Sequence, residues 1–448
     1  MKFANTRTLL LAGVAGCAVV CATTAARAGA FALREQSPTA QGAAFAGVAA
    51  GEGGLSSMFW NPATMTKYQG WNSQWGASIL FPSATITPSA ATPTAAFGSS
   101  GDVGLTTLLP SSYSSYQFNE QLWFGLAINA PFGLSTKPAT NWSGQVYART
   151  SEVRSTSINP TIAYKVNDML SFGVGVQAMY FKVRLNSAQA VTPAAPNAVL
   201  KGDSWGWGFT LGATFTPIAG TELGIGYRSQ VKQNLTGTFI NDVAAGGLPA
   251  AAAIGGAYGI RSSIKLPDMV TIGIRQRVNN DWTALAGFEW THWGIFNSFP
   301  VCITSPAPVP ALAGCPAGLA LNFAYRDSWY GSVGAEYAWN QNLTLRAGLG
   351  YEQSPITDVT RGARLPDSDR IWTTIGASYK INNKLSIDAS YAHIFAKSGA
   401  VNIVPGNPAF NGALTYIGTS KAHVDIVSFA LNYRWDDPKV AIPVVAKY

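Results

Sequence analysis

From Trp71 onward the chain alternates apolar residues with small or polar ones at a period of two, the spacing that puts one set on each face of a β-strand. Leu343, Leu345, Ala347, Leu349 and Tyr351 alternate with Thr344, Arg346, Gly348 and Gly350, and Leu170, Phe172, Val174 and Val176 alternate with Ser171, Gly173 and Gly175. Leu223, Ile225 and Tyr227 alternate with Gly224, Gly226 and Arg228. Near the end, Val427, Phe429, Leu431, Tyr433 and Trp435 alternate with Ser428, Ala430, Asn432 and Arg434. A soluble sandwich alternates too, but its polar face meets water and is rich in Lys and Glu. Here the second face is small or weakly polar and the apolar face ends in aromatics, the texture of a membrane barrel with lipid outside and a polar lumen inside. In hydrocarbon, such strands satisfy their backbone groups only as a closed cylinder.

Compact polar breaks at 119–120, 167–168, 217–221, 279–281, 340–342 and 382–383 read as short periplasmic turns. Longer irregular connections near 88–103, 138–146, 188–201, 241–260, 298–319, 355–367 and 398–418 read as extracellular loops. Together they predict an all-β fold, a 14-stranded antiparallel transmembrane β-barrel with both termini in the periplasm. Residues 29–69 do not alternate. Ser37-Pro38 is a helix start, and Phe31, Leu33, Phe45, Met58, Phe59 and Trp60 are too apolar for a solvated tail. A lumen this wide cannot be filled by wall side chains, so the segment is expected to fold inward as a helical hatch, or plug. Pro62 is expected to stop a short helix, with Asn61 bonding the freed backbone where plug hands over to strand.

Composition agrees. Only 12% of the 448 residues are charged and 47% are hydrophobic, with 12% aromatic and 46 glycines, against about 25% charged in an ordinary soluble domain. Lys2 and Arg7 precede an apolar run from Leu9 to Val20, and Ala26-Arg27-Ala28 is a cleavage signature, so 1–28 reads as a signal peptide. A lipoprotein reading at Cys17 is disfavoured because the apolar run continues through Ala18, Val19 and Val20. The organisation expected is signal peptide 1–28, hatch 29–69, barrel 70–435 and periplasmic tail 436–448. Without the signal the formal charge falls from +8 to +5 with no basic cluster, which gives no reason to expect nucleic acid. Cys302 and Cys315 bracket a Pro-rich segment and read as one local disulfide, worth about 3 kcal/mol in the loop-entropy model.

Several signals carry no chemistry. Gly202-Asp203-Ser204-Trp205-Gly206 fits the nucleophile pattern of hydrolases but lies in an alternating strand with no helix behind it. His292, His393 and His423 are scattered, Glu352 and Asp388 read as lumen polar residues, and no phosphate loop, metal set or cofactor motif is expected.

The segment "GAFALREQSPTAQGAAFAGVAAGEGGLSSMFWNPATM", with its Asn61-Pro62-Ala63, resembles the hatch of the FadL/TodX outer-membrane transporters of fatty acids and hydrocarbons. So do "LAINAPFGLSTK", "KLPDMVTIG" and "SPITDVTRGARLPDSDRIWTTIGASYKIN", and the resemblance runs through essentially the whole mature chain. It implies a passive uptake channel and not an enzyme. A hydrophobic small molecule, whether fatty acid, alkane or aromatic hydrocarbon, is caught by extracellular loops, passed to a lumen pocket gated by the hatch, and released sideways at a kink in the third strand. The kink maps to Pro131, Phe132 and Gly133, where Pro131 cannot donate a ladder hydrogen bond and Gly133 tolerates unusual dihedrals. The apolar segments 188–201 and 241–260 are the expected capture groove.

Fatty-acid carriers of this family place basic residues in the lumen. Here Ser187 and Leu321 align with them, leaving Lys182, Arg184 and Arg326 as candidate head-group contacts and leaving neutral hydrocarbons open. Phe31 and Leu33 are expected to border the pocket, so that alanine at both weakens ligand binding. The expected surroundings are outer-membrane lipid about a monomer. The alternatives are a hydrophilic diffusion porin, which offers no reason for the apolar loops, and an outer-membrane lipase or esterase, which needs a serine and a histidine on a shared face.

Overall fold

The structure, a computed structural model, describes residues 29–242, 256–305 and 319–436. The expected signal peptide, most of the expected tail, and the cores of segments 241–260 and 298–319 lie outside the described residues.

Among the described residues, twenty strand segments make fourteen barrel strands. In chain order they are β1 (Trp71–Pro88), β2 (Thr107–Gln117), β3 (Leu122–Asn129, resuming at Gly133–Thr136), β4 (Thr150–Lys165), β5 (Leu170–Ala188), β6 (Asn197–Ile218) and β7 (Thr221–Arg228 and Val231–Asn241). There follow β8 (Gly256–Leu266 and Met269–Arg277), β9 (Trp282–Thr291 and Ser298–Ser305), β10 (Leu319–Asn322 and Ser328–Ala338), β11 (Leu343–Glu352), β12 (Arg370–Lys380), β13 (Leu385–Ala396 and Gly399–Ile403) and β14 (Tyr416–Arg434). Each strand pairs antiparallel with its sequence neighbours, and β1 pairs with β14 from Asn72↔Arg434 to Pro88↔Gly418, which closes the cylinder.

Five of the six short turns use one device. The side chains of Asn119, Asn167, Asn279, Asn340 and Asn382 each accept two backbone N–H bonds from residues two and three further on, at 2.8–2.9 Å. A short polar side chain thus does the work of a turn without a tertiary partner. The opposite end differs from expectation: β5 and β6 run to Ala188 and from Asn197, leaving only 189–196 as loop where 188–201 was expected. Cross-strand pairing continues wherever a neighbouring strand offers a partner, so the strands outrun the membrane.

The hatch is a chain of short helices: α1 (Pro38–Gln41), then 3-10 turns at Val48–Ala50, Gly54–Phe59 and Pro62–Lys67. Ser37 caps α1 by accepting the Ala40 N–H at 3.0 Å. Pro62 begins a helix where it was expected to end one. Asn61 is its N-cap, accepting the Ala63 N–H at 3.0 Å, because proline's missing N–H costs nothing in a first turn. The strand begins only at Trp71.

Candidate functional site

The inward face of the wall is cut to fit the hatch backbone. A Cβ at Gly212 would lie 1.9 Å from Asn61 Oδ1, and one at Gly226 1.8 Å from Trp60 O. At Gly173 it would meet Ala63 N at 2.5 Å and at Gly348 Ala43 C at 2.3 Å. The small-residue faces of β5, β6, β7 and β11 are therefore the bed of the hatch. Asn61 completes the seat by donating to Ala49 O at 2.7 Å and to Ala213 O of β6 at 2.8 Å. Phe45, Phe59 and Trp60 pack with Trp372 of β12 as an aromatic core, ring centroids 4.9–5.9 Å apart.

The periplasmic side of the hatch is ionic. Glu52 meets Arg346 at 2.7 Å, Arg346 meets Glu336 at 2.9 Å, Arg275 meets Glu336 at 3.1 Å and Glu222 at 3.3 Å, and Lys67 pairs with Glu222. These groups line an open polar vestibule of about 580 Å³.

Above the hatch lies the opposite chemistry. Phe132, Leu134, Val153, Met179, Phe181, Trp293 and Phe296 enclose an apolar chamber, and Phe31 fills it, its ring 4.8 Å from Trp293, 5.1 Å from Phe296 and 5.9 Å from Phe132. Leu33, two residues on, belongs instead to the hatch core with Leu55, Met58 and Leu109. Further outward, Phe239, Tyr258, Ile260, Val301 and Ile303 form a second apolar cluster, with Ala198, Leu200 and Leu321 against it. The apolar side chains of the expected groove are thus carried partly by strand ends.

The chamber's side wall is interrupted. Pairing of β2 with β3 stops at Ser112↔Ile128, although β2 continues outward to Thr107, and β3 breaks across Ala130, Pro131 and Phe132 before resuming at Gly133. The hatch's N-terminal arm lies across the break. Leu33 N–H donates to Pro131 O at 2.8 Å, Gly133 N–H donates to Phe31 O at 2.8 Å, and Gln36 donates to Ala130 O at 2.9 Å. On the other side Ser155 of β4 holds Phe132, accepting its N–H at 2.8 Å and donating to its carbonyl at 2.7 Å.

The arm is anchored by charge. Arg34 meets Glu289 at 2.9 Å and Glu352 at 3.5 Å, and lies 3.8 Å over the Tyr330 ring. Gly29 N–H donates to Glu352 at 3.2 Å. Beside Arg34, the carboxyl of Glu35 is buried with both oxygens unpartnered. Burial raises it to about 7, with Glu352 adding to the rise and Arg34 and Arg370 opposing it.

The structure places the expected head-group contacts elsewhere. Lys182 and Arg184 share their strand parity with Phe172, Val174 and Val176, so they point out of the barrel and are exposed. Arg326 is exposed too, donating to Ser354 O at 3.1 Å and facing Asp369 at 3.7 Å. A cation the sequence reading missed stands at the chamber instead. Arg364, just before the chamber residue Leu365, donates to Asn186 O at 3.1 Å and Ser151 Oγ at 3.4 Å, one inward position beyond Val153. Among the described residues none of its contacts is a carboxylate, and desolvation of the half-buried guanidinium lowers it to about 10, which keeps it charged at neutral pH. It stands in the stretch "SPITDVTRGARLPDSDR" that carries the family resemblance, but nothing local assigns it to the chamber; the chain brings it to β4 and β5 from far away in sequence. Cys302 is disulfide-bonded, and its expected partner Cys315 lies outside the described residues.

A closed barrel with a plugged lumen, an apolar inner chamber and a break in its wall defines an outer-membrane channel for apolar cargo. The chain belongs to the family of outer membrane transport proteins described as OMPP1/FadL/TodX, whose model matches residues 19–435. It is accordingly a β-barrel transport protein of the Gram-negative outer membrane, a channel and not an enzyme. It is 26% identical over 423 residues to the long-chain fatty acid transport protein of Escherichia coli O6:H1, covering 86% of this chain and 92% of that one. It is 27% identical over 458 residues to a 47 kDa outer membrane protein of Pasteurella multocida, covering 96% and 98%. In fold it matches a FadL homologue of Pseudomonas aeruginosa with a TM-score of 0.80 at 21% identity, covering 91% of this chain and 100% of that one. The Ralstonia pickettii toluene transporter TbuX gives a TM-score of 0.61 at 19% identity, covering 89% and 98%.

Proposed function

We propose that the chain carries long-chain fatty acids or similar hydrophobic compounds from the extracellular face into the chamber and releases them sideways into the bilayer through the break in β3. The observation that carries this reading is that one arm does two jobs: Phe31 occupies the chamber while its backbone and that of Leu33 close the wall at Pro131 and Gly133. A ligand that takes the place of Phe31 removes the closure. Its route avoids the vestibule below the hatch, whose lining of Glu52, Lys67, Glu222, Arg275, Glu336 and Arg346 an apolar chain would have to desolvate.

Arg364 extends the reading to acids. A half-buried guanidinium that among the described residues has no carboxylate partner is a ready counter-ion for a fatty acid's carboxylate. Arg364→Gln should weaken binding of a fluorescent fatty acid about tenfold and leave toluene binding unchanged; equal loss for both would remove the head-group role.

The gate itself is tested with Ala32→Cys/Phe132→Cys, which joins two residues that face each other in an antiparallel bridge. Uptake of labelled oleate into cells lacking their own transporter should cease under oxidant and return with reductant. Uptake persisting in the fully cross-linked protein would show that the arm need not move.

A further inference from the structure

The outer face of β5 to β8 carries a patch with an excess of basic residues. Along β5 the outward residues run Phe172, Val174, Val176, Tyr180, then Lys182 and Arg184. Along β6 they run Leu211, Phe209, Trp207, Trp205, then Asp203 and Lys201. On β7 and β8 the apolar Ile225 and Ile272 give way to Lys232, Arg261 and Lys265. The change comes just beyond Tyr180, Trp205 and Tyr227, the aromatic belt where hydrocarbon meets headgroups, and on the side of the long loops.

Lys182, Arg184, Lys201, Lys232, Arg261 and Lys265 are all exposed, and among the described residues none makes an ion pair or a side-chain hydrogen bond. Two acids stand among these cations, Glu152, which pairs with Arg154 at 2.5 Å, and Asp203, which lies opposite Lys182 in the β5–β6 register, and the cations outnumber them. Two cross-strand pairs set opposite charges together, Glu152↔Arg184 and Lys182↔Asp203, but three set like charge against like charge: Arg154↔Lys182, Arg184↔Lys201 and Lys232↔Lys265. Such pairs destabilise a sheet, the more so beside a low-dielectric membrane, unless an anion lies between them.

We propose that this surface binds the phosphorylated glycolipid headgroup of the outer leaflet, its phosphates spanning the rows of cations and its acyl chains lying along Phe172, Val174 and Val176. Position selects this occupant, since the cations stand where a headgroup stands and the apolar strip below them is continuous with the lipid face. Polybasic surfaces at a membrane draw anionic lipid with a strength that grows with each Lys or Arg. The inference is independent of cargo and of the gate.

The test uses the full protein in a nonionic detergent, with diphosphoryl lipid A, monophosphoryl lipid A and phosphatidylcholine as probes and bound lipid counted by native mass spectrometry. The native protein should retain diphosphoryl lipid A roughly tenfold over phosphatidylcholine. Lys182→Gln/Arg184→Gln/Lys201→Gln and Lys232→Gln/Lys265→Gln should bring that preference down to the phosphatidylcholine level, while Lys380→Gln at the periplasmic end leaves it intact. The substituted side chains are exposed, and heat-modifiable gel mobility verifies that each barrel is folded. Lipid A retained equally by the variants overturns the proposal. So does displacement of lipid A by millimolar inorganic phosphate alone, which would assign the patch to the free ion.

Discussion

Among the described residues Phe31 is the one large side chain that the N-terminal arm lends to the chamber, and three rings receive it, which is the basis for proposing it as a latch. Phe31→Ala should cost the seat of the arm about 3 kcal/mol. A cysteine placed at Ala32 should then react faster with an impermeant maleimide, and an unchanged rate would mean that Phe31 does not hold the arm. Leu33→Ala, in the hatch core, should lower stability without exposing the chamber, so the two positions expected to act together separate. Glu35 adds a dependence on pH. Its carboxyl has an ordinary value of 4.5 and is held at about 7 when the arm is seated, so the seated arm binds the proton more tightly than the released arm. Seating is favoured in full below about pH 4.5, and the advantage is lost as pH rises through 7. The same maleimide reaction should therefore accelerate between pH 5 and pH 8, and Glu35→Gln should flatten the profile; a profile equally steep in the variant would place the titrating group elsewhere.

At the scale of elements, the wall and the hatch are fitted backbone to backbone. Gly212→Val puts a side chain where Asn61 Oδ1 sits, breaking the cap of the Pro62–Lys67 turn together with its bond to Ala213. In planar bilayers this variant should show larger and noisier ion currents than the native protein; native-like currents would mean that the hatch tolerates displacement from β6. The break in β3 was legible from Pro131 and Gly133, since a missing donor and a missing Cβ both weaken a ladder. That the arm covers the break was not legible. Residues 31–33 carry no strand signal, and their partners lie about a hundred residues away. The cations divide: parity along β5 with Phe172, Val174 and Val176 already assigns Lys182 and Arg184 to the lipid side, whereas Arg364 stands in a segment with no period to read.

For the molecule as a whole, the ionic floor and the apolar chamber divide the lumen into two solvents, and the hatch is the partition between them. Native protein in planar bilayers should conduct little, and removal of residues 29–69 should open a wide, weakly selective pore; high conductance with the hatch in place would favour a diffusion porin. The sequence alone determined the barrel, its strand number, its turns and the inward fate of residues 29–69. Period, turn chemistry and the scarcity of charge are local properties that the solvent on each side enforces residue by residue. Tertiary structure alone decided which glycines touch the hatch, which cation reaches the chamber and which cations gather into one patch across β5 to β8. Those depend on register between strands and on segments hundreds of residues apart, where one position's shift in pairing exchanges lumen for membrane.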